Sequence, residues 1–262
     1  TLWKDTPLPA GPVAPHIVAE ANRDLTKLVN LLESLDVTVY RPTSMNFYAR
    51  DGLYNYCPRD RLLVVDGEVI DTPMAYQCRE QEIENYKFLN TKFVRGKGKW
   101  DAANVCRLND DLLYLVSESG DREGAYWLQD YFADTKRVHI LDAYSGVHID
   151  STISPVREGL VVLNGSRITE DTVPKPLKNW DKIWVHDMAP QSFVDYPYAS
   201  KWIGMNFLTI NPKLVVCDPK QLKLRKELKQ YGVETEGVDL RHSRTLGGGH
   251  HCVTLDLLRV NS

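Results

Sequence analysis

A tight turn between two apolar runs recurs along this chain and limits what it can fold into. Leu62–Val65, Asp66-Gly67 and Glu68–Ile70 read as two strands joined by a two-residue hairpin turn. Turn signals return at Asn109-Asp110-Asp111 before Leu112–Val116, and at Asn164-Gly165 after Leu160–Leu163. Another is Asn211-Pro212, between Phe207–Ile210 and Leu214–Cys217. These turns lie about 43 to 55 residues apart, a period typical of a repeated supersecondary unit. Helical stretches fall between them: Glu80–Phe88, Glu123–Phe132, and Gln221–Gln230 after Pro219. Such units bury their apolar faces against one another, so a propeller-like ring is expected. An ordinary mixed α+β sheet is the competing reading.

The remaining stretches fit around that repeat. Residues 1–17 form an irregular lead-in, and Val18, Ala21, Leu25, Leu28, Val29, Leu32 and Leu35 recur at helical spacing. Val37–Tyr40, Val138–Leu141, Ile183–Val185 and Val238–Leu240 read as strands, and Lys92–Lys99 as a loop. A single domain over 1–262 is expected.

Charge and cysteine usage narrow the function. The formal net charge is −3 with no basic block, which argues against nucleic acid as a main partner. No apolar run reaches membrane-spanning length, and no signal peptide is visible. Cys57, Cys78, Cys106, Cys217 and Cys252 are odd in number and lack CxxC spacing, unlike a disulfide scaffold or a zinc knuckle. A reducing, cytoplasmic setting is expected.

The residues that could carry chemistry lie at turns and strand mouths. Gly247-Gly248-Gly249-His250-His251-Cys252 leads into the alternating run Val253–Leu258, which places Cys252 at the start of an expected strand. A reactive thiol needs a base or an electropositive neighbourhood. Neither His250 nor His251 is automatically that partner, because adjacent strand residues face opposite ways. Cys252 can equally be a small buried hydrophobe. His148 and Asp150 share one face if Gly146–Thr152 is extended. They would put an acid/base group and an anion in one pocket, and a cationic substrate would partner the anion. Asp101, Asp60 in Cys57-Pro58-Arg59-Asp60, and Arg167 complete the set. Each has a plain alternative as turn chemistry. Gly247–Gly249 lacks the Lys-Ser/Thr companion of a phosphate-binding loop.

Several stretches, in order, are similar to the glycine amidinotransferase family. They are Cys57-Pro58-Arg59-Asp60, Leu62–Val65, Thr72-Pro73-Met74-Ala75, Asp101-Ala102-Ala103 and His148-Ile149-Asp150-Ser151-Thr152. Ser200-Lys201-Trp202, Met205-Asn206 and Leu246–Cys252 follow. The resemblance implies an α/β fold, a five-bladed α/β propeller of ββαβ modules with pseudo-fivefold symmetry. It implies transfer of the amidino group of L-arginine, through a covalent amidino-cysteine, to a primary amine, releasing L-ornithine. Cys252 is then similar to the nucleophile, His148 to the general acid/base and Asp101 to its carboxylate partner. Asp60 and Asp150 are similar to residues that hold the guanidinium, and Arg167 and Ser200 to residues that hold the amino-acid end. No cofactor and no metal are implied. The partners are small molecules, with a homodimer allowed.

The chain departs from the pattern in places. Asn104 replaces an acidic residue, and Ala199 replaces a serine beside Ser200. The resemblance implies an opening strand before Thr1 and longer joins near Arg50–Asp51 and Leu89–Asn90 than the sequence shows. The expected acceptor pocket is Tyr144, Ser145, Gly146 and Val147, less bulky than the Asn- and Met-bearing loop of glycine-specific members. It implies a larger amine, in keeping with a specialised biosynthetic enzyme. An arginine deiminase-type hydrolase giving citrulline and a non-catalytic guanidine-binding scaffold are the other readings.

Overall fold

The computed structural model describes residues 11–46, 55–142, 146 and 148–259. The repeat is present in it as four three-stranded sheets of one design. They are β1 (Leu62–Val65), β2 (Glu68–Asp71) and β3 (Phe93–Arg95); then β4 (Val105–Arg107), β5 (Asp111–Leu115) and β6 (Arg137–Leu141); then β7 (Ile153–Arg157), β8 (Leu160–Asn164) and β9 (Asp181–Val185); then β10 (Leu208–Asn211), β11 (Leu214–Cys217) and β12 (Glu234–Gly237). In each, the first two strands are an antiparallel hairpin and the third returns parallel to the second. A parallel return needs a crossover, and helical segments supply it. The fold is therefore mixed α/β.

Five α-helices accompany the strands among the described residues: α1 (Pro15–Ser34), α2 (Pro58–Arg61), α3 (Arg122–Tyr131), α4 (Leu222–Gln230) and α5 (Ser243–Leu246). The chain divides into two compact units, one of residues 1–41 and 187–250, the other of 42–186 and 251–262.

The larger unit holds β1 to β9. Its central strands β5 and β8 are apolar at every position but one end residue, Asp111 and Asn164, because both faces are covered. On β5, Leu112 and Tyr114 pack with Leu63, Val65, Trp100 and Leu128, while Leu113 and Leu115 pack with Ile149, Ile153, Val161 and Leu163. Each such leucine contributes about 1.5–3 kcal/mol by burial. The β2-to-β3 crossover, Gln77–Leu89, is 3₁₀ rather than α-helical. In that geometry residues i and i+3 eclipse, and Arg79 and Glu82 form an ion pair at that spacing.

The smaller unit holds α1, β10 to β12, α4 and α5. The apolar face of α1 buries Ile17, Ala21, Leu28 and Leu32. Asp24 is buried on the same helix, where Arg241 forks its carboxylate from Nε and Nη2 at 2.9 and 2.8 Å. Gly247 closes α5 in the left-handed conformation at φ 81°, which explains the first glycine of the run.

Several expected elements differ. The third hairpin turns at Glu158-Gly159, with Gly159 at φ 81°, and Asn164-Gly165 lies at the far end of β8. Asn164 Oδ1 accepts the Ser166 N–H at 3.0 Å, so the Asn-Gly pair makes a side-chain-closed turn after the strand. Lys92–Lys99 contains β3 instead of being loop throughout. Val37–Tyr40 is not a strand: Asp36 turns the chain at φ 60° and no ladder forms there. The last strand of the smaller unit is Glu234–Gly237 and not Val238–Leu240, whose Val238 and Leu240 are apolar because they are buried. Val253–Leu258 is also irregular: Leu255 and Leu257 pack on Leu62, Val64 and Tyr86 while Asp256 meets arginines, which gives period-two alternation without a ladder.

Candidate active site

The candidate carboxylates sit at matching points of successive modules, on a short helical turn just before the first strand. Asp60 is in α2 before β1. Asp101 precedes the 3₁₀ turn Ala102–Asn104 before β4. Asp150 lies in the 3₁₀ turn Ile149–Ser151 before β7, and His148 is the residue that opens it. This segment is not extended as expected. The turn aims His148 toward Asp101 and Asp60, and Asp150 toward the Cys252 turn. In the smaller unit, Ser200 occupies the same point of its own module, opening the 3₁₀ turn Lys201–Met205 before β10 and accepting the Trp202 N–H at 3.3 Å.

His148 is held between carboxylates. Its Nε2 donates to Asp101 Oδ2 at 3.0 Å, and Asp101 Oδ1 accepts the Ala75 N–H at 3.1 Å. Its Nδ1 lies 3.7 Å from Asp60 Oδ1. Burial alone would favour neutral imidazole, but Asp60 and Asp101 outweigh it and push His148 up to about 9. Burial raises Asp60 despite His148 and Arg79 beside it. Arg79 Nη1 donates to Asp60 Oδ2 at 2.8 Å, whereas Asp60 Oδ1 is buried without a hydrogen-bond partner among the described residues.

Cys252 is 2% exposed and sits in a turn, not at the start of a strand. Its Sγ donates to Asp150 Oδ2 at 3.3 Å, and the same oxygen accepts from His251 Nδ1 at 2.9 Å. A hydrogen bond with Cys57, burial and the nearby Asp150 and Asp60 hold the Cys252 thiol well above its usual range. Burial and the Arg59 charge pull His251 down to about 4, so it is a neutral donor to Asp150. His250 plays no such part: its Nε2 meets the Val238 carbonyl at 2.7 Å within the smaller unit. Arg59 donates from its backbone N–H to the Cys252 carbonyl at 3.4 Å and from Nε to the His251 carbonyl at 2.7 Å. Its Nη2 bonds Asp256, which Arg107 also holds.

The larger unit thus brings together Cys252, His148, Asp101, Asp60 and Asp150. Arg167 stands beside that group, with Nη1 on Ser151 Oγ at 3.1 Å and Thr152 Oγ1 at 2.7 Å. Tyr144, Ser145 and Val147 lie outside the described residues, and the Gly146 carbonyl accepts the Glu118 N–H at 3.4 Å. Arg79, Glu82 and Arg59 are the residues that sequence reasoning missed, whereas His251, weighed there as a partner of Cys252, meets Asp150. The available signals were an Arg-x-x-Glu pair and direct adjacency to Asp60. Among the described residues no group of three or more His, Cys, Asp or Glu side chains could hold a metal ion, and no helix is long and apolar enough to cross a membrane.

Among the described residues, the carboxylates of Asp60, Asp101 and Asp150 gather around His148 and the thiol, with Arg79 on Asp60 and Arg59 beside Cys252. Buried carboxylates favour uptake of a cation or a proton. With a thiol beside them to act as nucleophile, they suit covalent chemistry on a cationic group.

No family model matches the chain. It is 38% identical over 295 residues to inosamine-phosphate amidinotransferase 1 of Streptomyces glaucescens, covering 97% of this chain and 85% of that protein. That matched length exceeds the 262 residues here, so the relative carries segments this chain lacks. The solved inosamine-phosphate amidinotransferase of Streptomyces griseus superposes with a TM-score of 0.93 at 37% identity, over 97% of this chain and 85% of that one. An amidinotransferase of saxitoxin biosynthesis from Microseira wollei follows, with a TM-score of 0.87, 26% identity, and coverage of 96% and 86%. The chain belongs to the amidinotransferase family. It is an enzyme of cysteine-dependent amidino transfer.

Proposed function

We propose that the protein moves the amidino group of L-arginine through an amidino-Cys252 intermediate to a primary amine larger than glycine, releasing L-ornithine. The observation that carries the residue assignment is Asp60 Oδ1, a buried carboxylate oxygen near the thiol that has no hydrogen-bond partner among the described residues and only His148 Nδ1 at 3.7 Å. A guanidinium supplies the missing donors. Asp60 and Asp150 hold the planar cation by charge-assisted hydrogen bonds, which brings its central carbon to Sγ. The thiol proton leaves toward Asp150, which already accepts it. Sulfur bonds to the amidino carbon, the bond from that carbon to the ornithine nitrogen breaks, and protonated His148 gives its proton to that nitrogen. The acceptor amine then attacks the same carbon, returns a proton to His148 and releases the thiolate, which takes back the proton held by Asp150. Asp101 keeps the imidazole oriented and charged. Arg167 is assigned to the amino-acid end of the donor.

The larger acceptor is supported by the reduced bulk of Tyr144-Ser145-Gly146-Val147 and by relatives named for inosamine phosphate and saxitoxin biosynthesis. Extra methylenes are discriminated weakly by such a wall, by roughly 1–3 kcal/mol each. Closure of the repeated modules into a five-bladed propeller with pseudo-fivefold symmetry is part of the same reading. It is supported by four sheets of one design and by the TM-score of 0.93.

The test is incubation with L-arginine, with and without a panel of primary amines. Ornithine formed only with an acceptor, with larger amines exceeding glycine in kcat/KM, is the expected outcome. Steady citrulline would mean hydrolysis, and no product would leave a guanidine-binding scaffold. Intact mass of the arginine-treated protein should show an amidino adduct that Cys252→Ala lacks.

A further inference from the structure

Arg79 and Glu82 are buried beside the site, yet amidino transfer as described gives them no step. Glu82 is fully covered. Arg79 Nε and Nη2 bond its two oxygens at 2.7 and 3.0 Å, a fork on a fork. The third arm, Nη1, reaches Asp60 Oδ2 at 2.8 Å, and Nη2 also meets the Cys57 carbonyl at 3.5 Å. One guanidinium therefore braces the Gln77–Leu89 crossover against both ends of the turn that carries Asp60.

We infer that Arg79 is a positioning residue for the transfer reaction, and that Glu82 sets the charge it presents. Arg79 pins Asp60 by Oδ2, so that Oδ1 alone is offered to the donor's guanidinium. Glu82 takes two of the arms of Arg79 and offsets its charge, so Asp60 keeps a negative charge for a second guanidinium. The inference rests on the reading of Asp60 as a guanidinium holder.

The geometry favours this over a plain structural ion pair. An Arg79–Asp60 pair without Glu82 would be self-contained, and a donor cation would gain little from it. A Glu82–Arg79 pair without the Asp60 contact would leave both Asp60 oxygens to find a partner or a proton in a buried place. The observed three-way arrangement satisfies one Asp60 oxygen and leaves the other without a hydrogen-bond partner among the described residues. The charged and titratable groups facing Asp60 are His148 at 3.7 Å, Asp101, Cys57, Cys252, Arg79 and, through Arg79, Glu82.

Charge and geometry separate in three variants. Arg79→Gln removes a cation from Asp60, so more alkaline solution is needed to ionise it. The acid limb of kcat/KM for arginine should move up by roughly one unit or more, with about a 100-fold loss at the optimum from misplacement. Glu82→Gln removes an anion, so the acid limb should move down while KM for arginine rises. Arg79→Lys keeps the charge without the fork, so the limb should stay and KM should rise. The same pattern should appear in the Kd for arginine measured by calorimetry in the Cys252→Ala background, where no turnover is needed.

Limbs that move the same way in Arg79→Gln and Glu82→Gln, or that do not move, would overturn the inference. So would wild-type KM in Arg79→Lys. A wild-type protein that binds arginine without forming ornithine would reject amidino transfer, and the Kd pattern would still decide the roles of Arg79 and Glu82. Absence of any arginine binding would reject both.

Discussion

His148 Nε2 stands 3.0 Å from Asp101 Oδ2, and the second oxygen of that carboxylate is tied to the Ala75 N–H at 3.1 Å. Asp101 can therefore neither rotate away from the imidazole nor pass the bond to its other oxygen without losing a contact. Asp101→Asn keeps the shape and removes the charge. The alkaline limb of the pH–rate profile should then move down from about 9, with kcat lowered roughly 10²–10⁴-fold. A profile unchanged in Asp101→Asn would detach Asp101 from the acid–base role.

The same histidine makes stability pH-dependent. Its folded-state value, about 9, lies above its ordinary 6.5. The stabilisation is therefore complete below about 6.5 and is lost as pH rises through about 9. Thermal midpoints should fall between pH 7 and pH 10, and His148→Gln should flatten that part of the curve. Equal slopes in the two proteins would contradict the assignment.

Cys252 should be a sluggish nucleophile in the empty enzyme. Its thiol is buried and held protonated, whereas Cys78 is exposed. Iodoacetamide at pH 7 should label Cys78 well before Cys252, with Cys252 catching up only in alkaline solution. Peptide mass mapping reads both sites in one sample, and matched rates at pH 7 would refute the burial argument.

In the smaller unit, Arg241→Ala should leave the buried Asp24 carboxylate without its fork. Arg241 is itself more than a third exposed, so the loss is reduced by solvent screening, to roughly 1–3 kcal/mol. Burial raises Asp24, but the Arg241 bonds more than offset it and hold the carboxyl below its usual range. That stabilisation is present above the ordinary carboxylate range and fades as pH falls below it. Urea midpoints at pH 7 should separate the variant from wild type, and the gap should narrow in acid. A gap that persists undiminished in acid would argue against the ion pair.

The modular plan was legible because hairpin turns have a strong local chemistry. Asp66-Gly67 sits where it was expected, between β1 and β2. Asn164-Gly165 misled because an Asn side chain closes a turn after a strand as readily as an Asn-Gly pair closes a hairpin. Glu234–Gly237 was illegible as a strand: it is Glu-Thr-Glu-Gly, an edge strand whose charged residues face water. At the site, His148 and the three aspartates announce themselves by residue type and by position just before a module's first strand, and Cys252 by its type alone, since it lies in a turn. Arg79 and Glu82 do not. An Arg-x-x-Glu pair inside an acidic helical stretch reads as a solvated face, and only the tertiary packing that buries Gln77–Leu89 turns it inward.

Arg59 has a mechanical consequence. It is the residue before Asp60, and its backbone and side-chain N–H groups grip the carbonyls of Cys252 and His251. The anion that would cradle a guanidinium and the sulfur that would attack it are therefore linked by one residue's own bonds. Any breathing of this region that leaves those two bonds intact carries cradle and nucleophile along in step, so their mutual reach does not depend on the rest of the unit holding still.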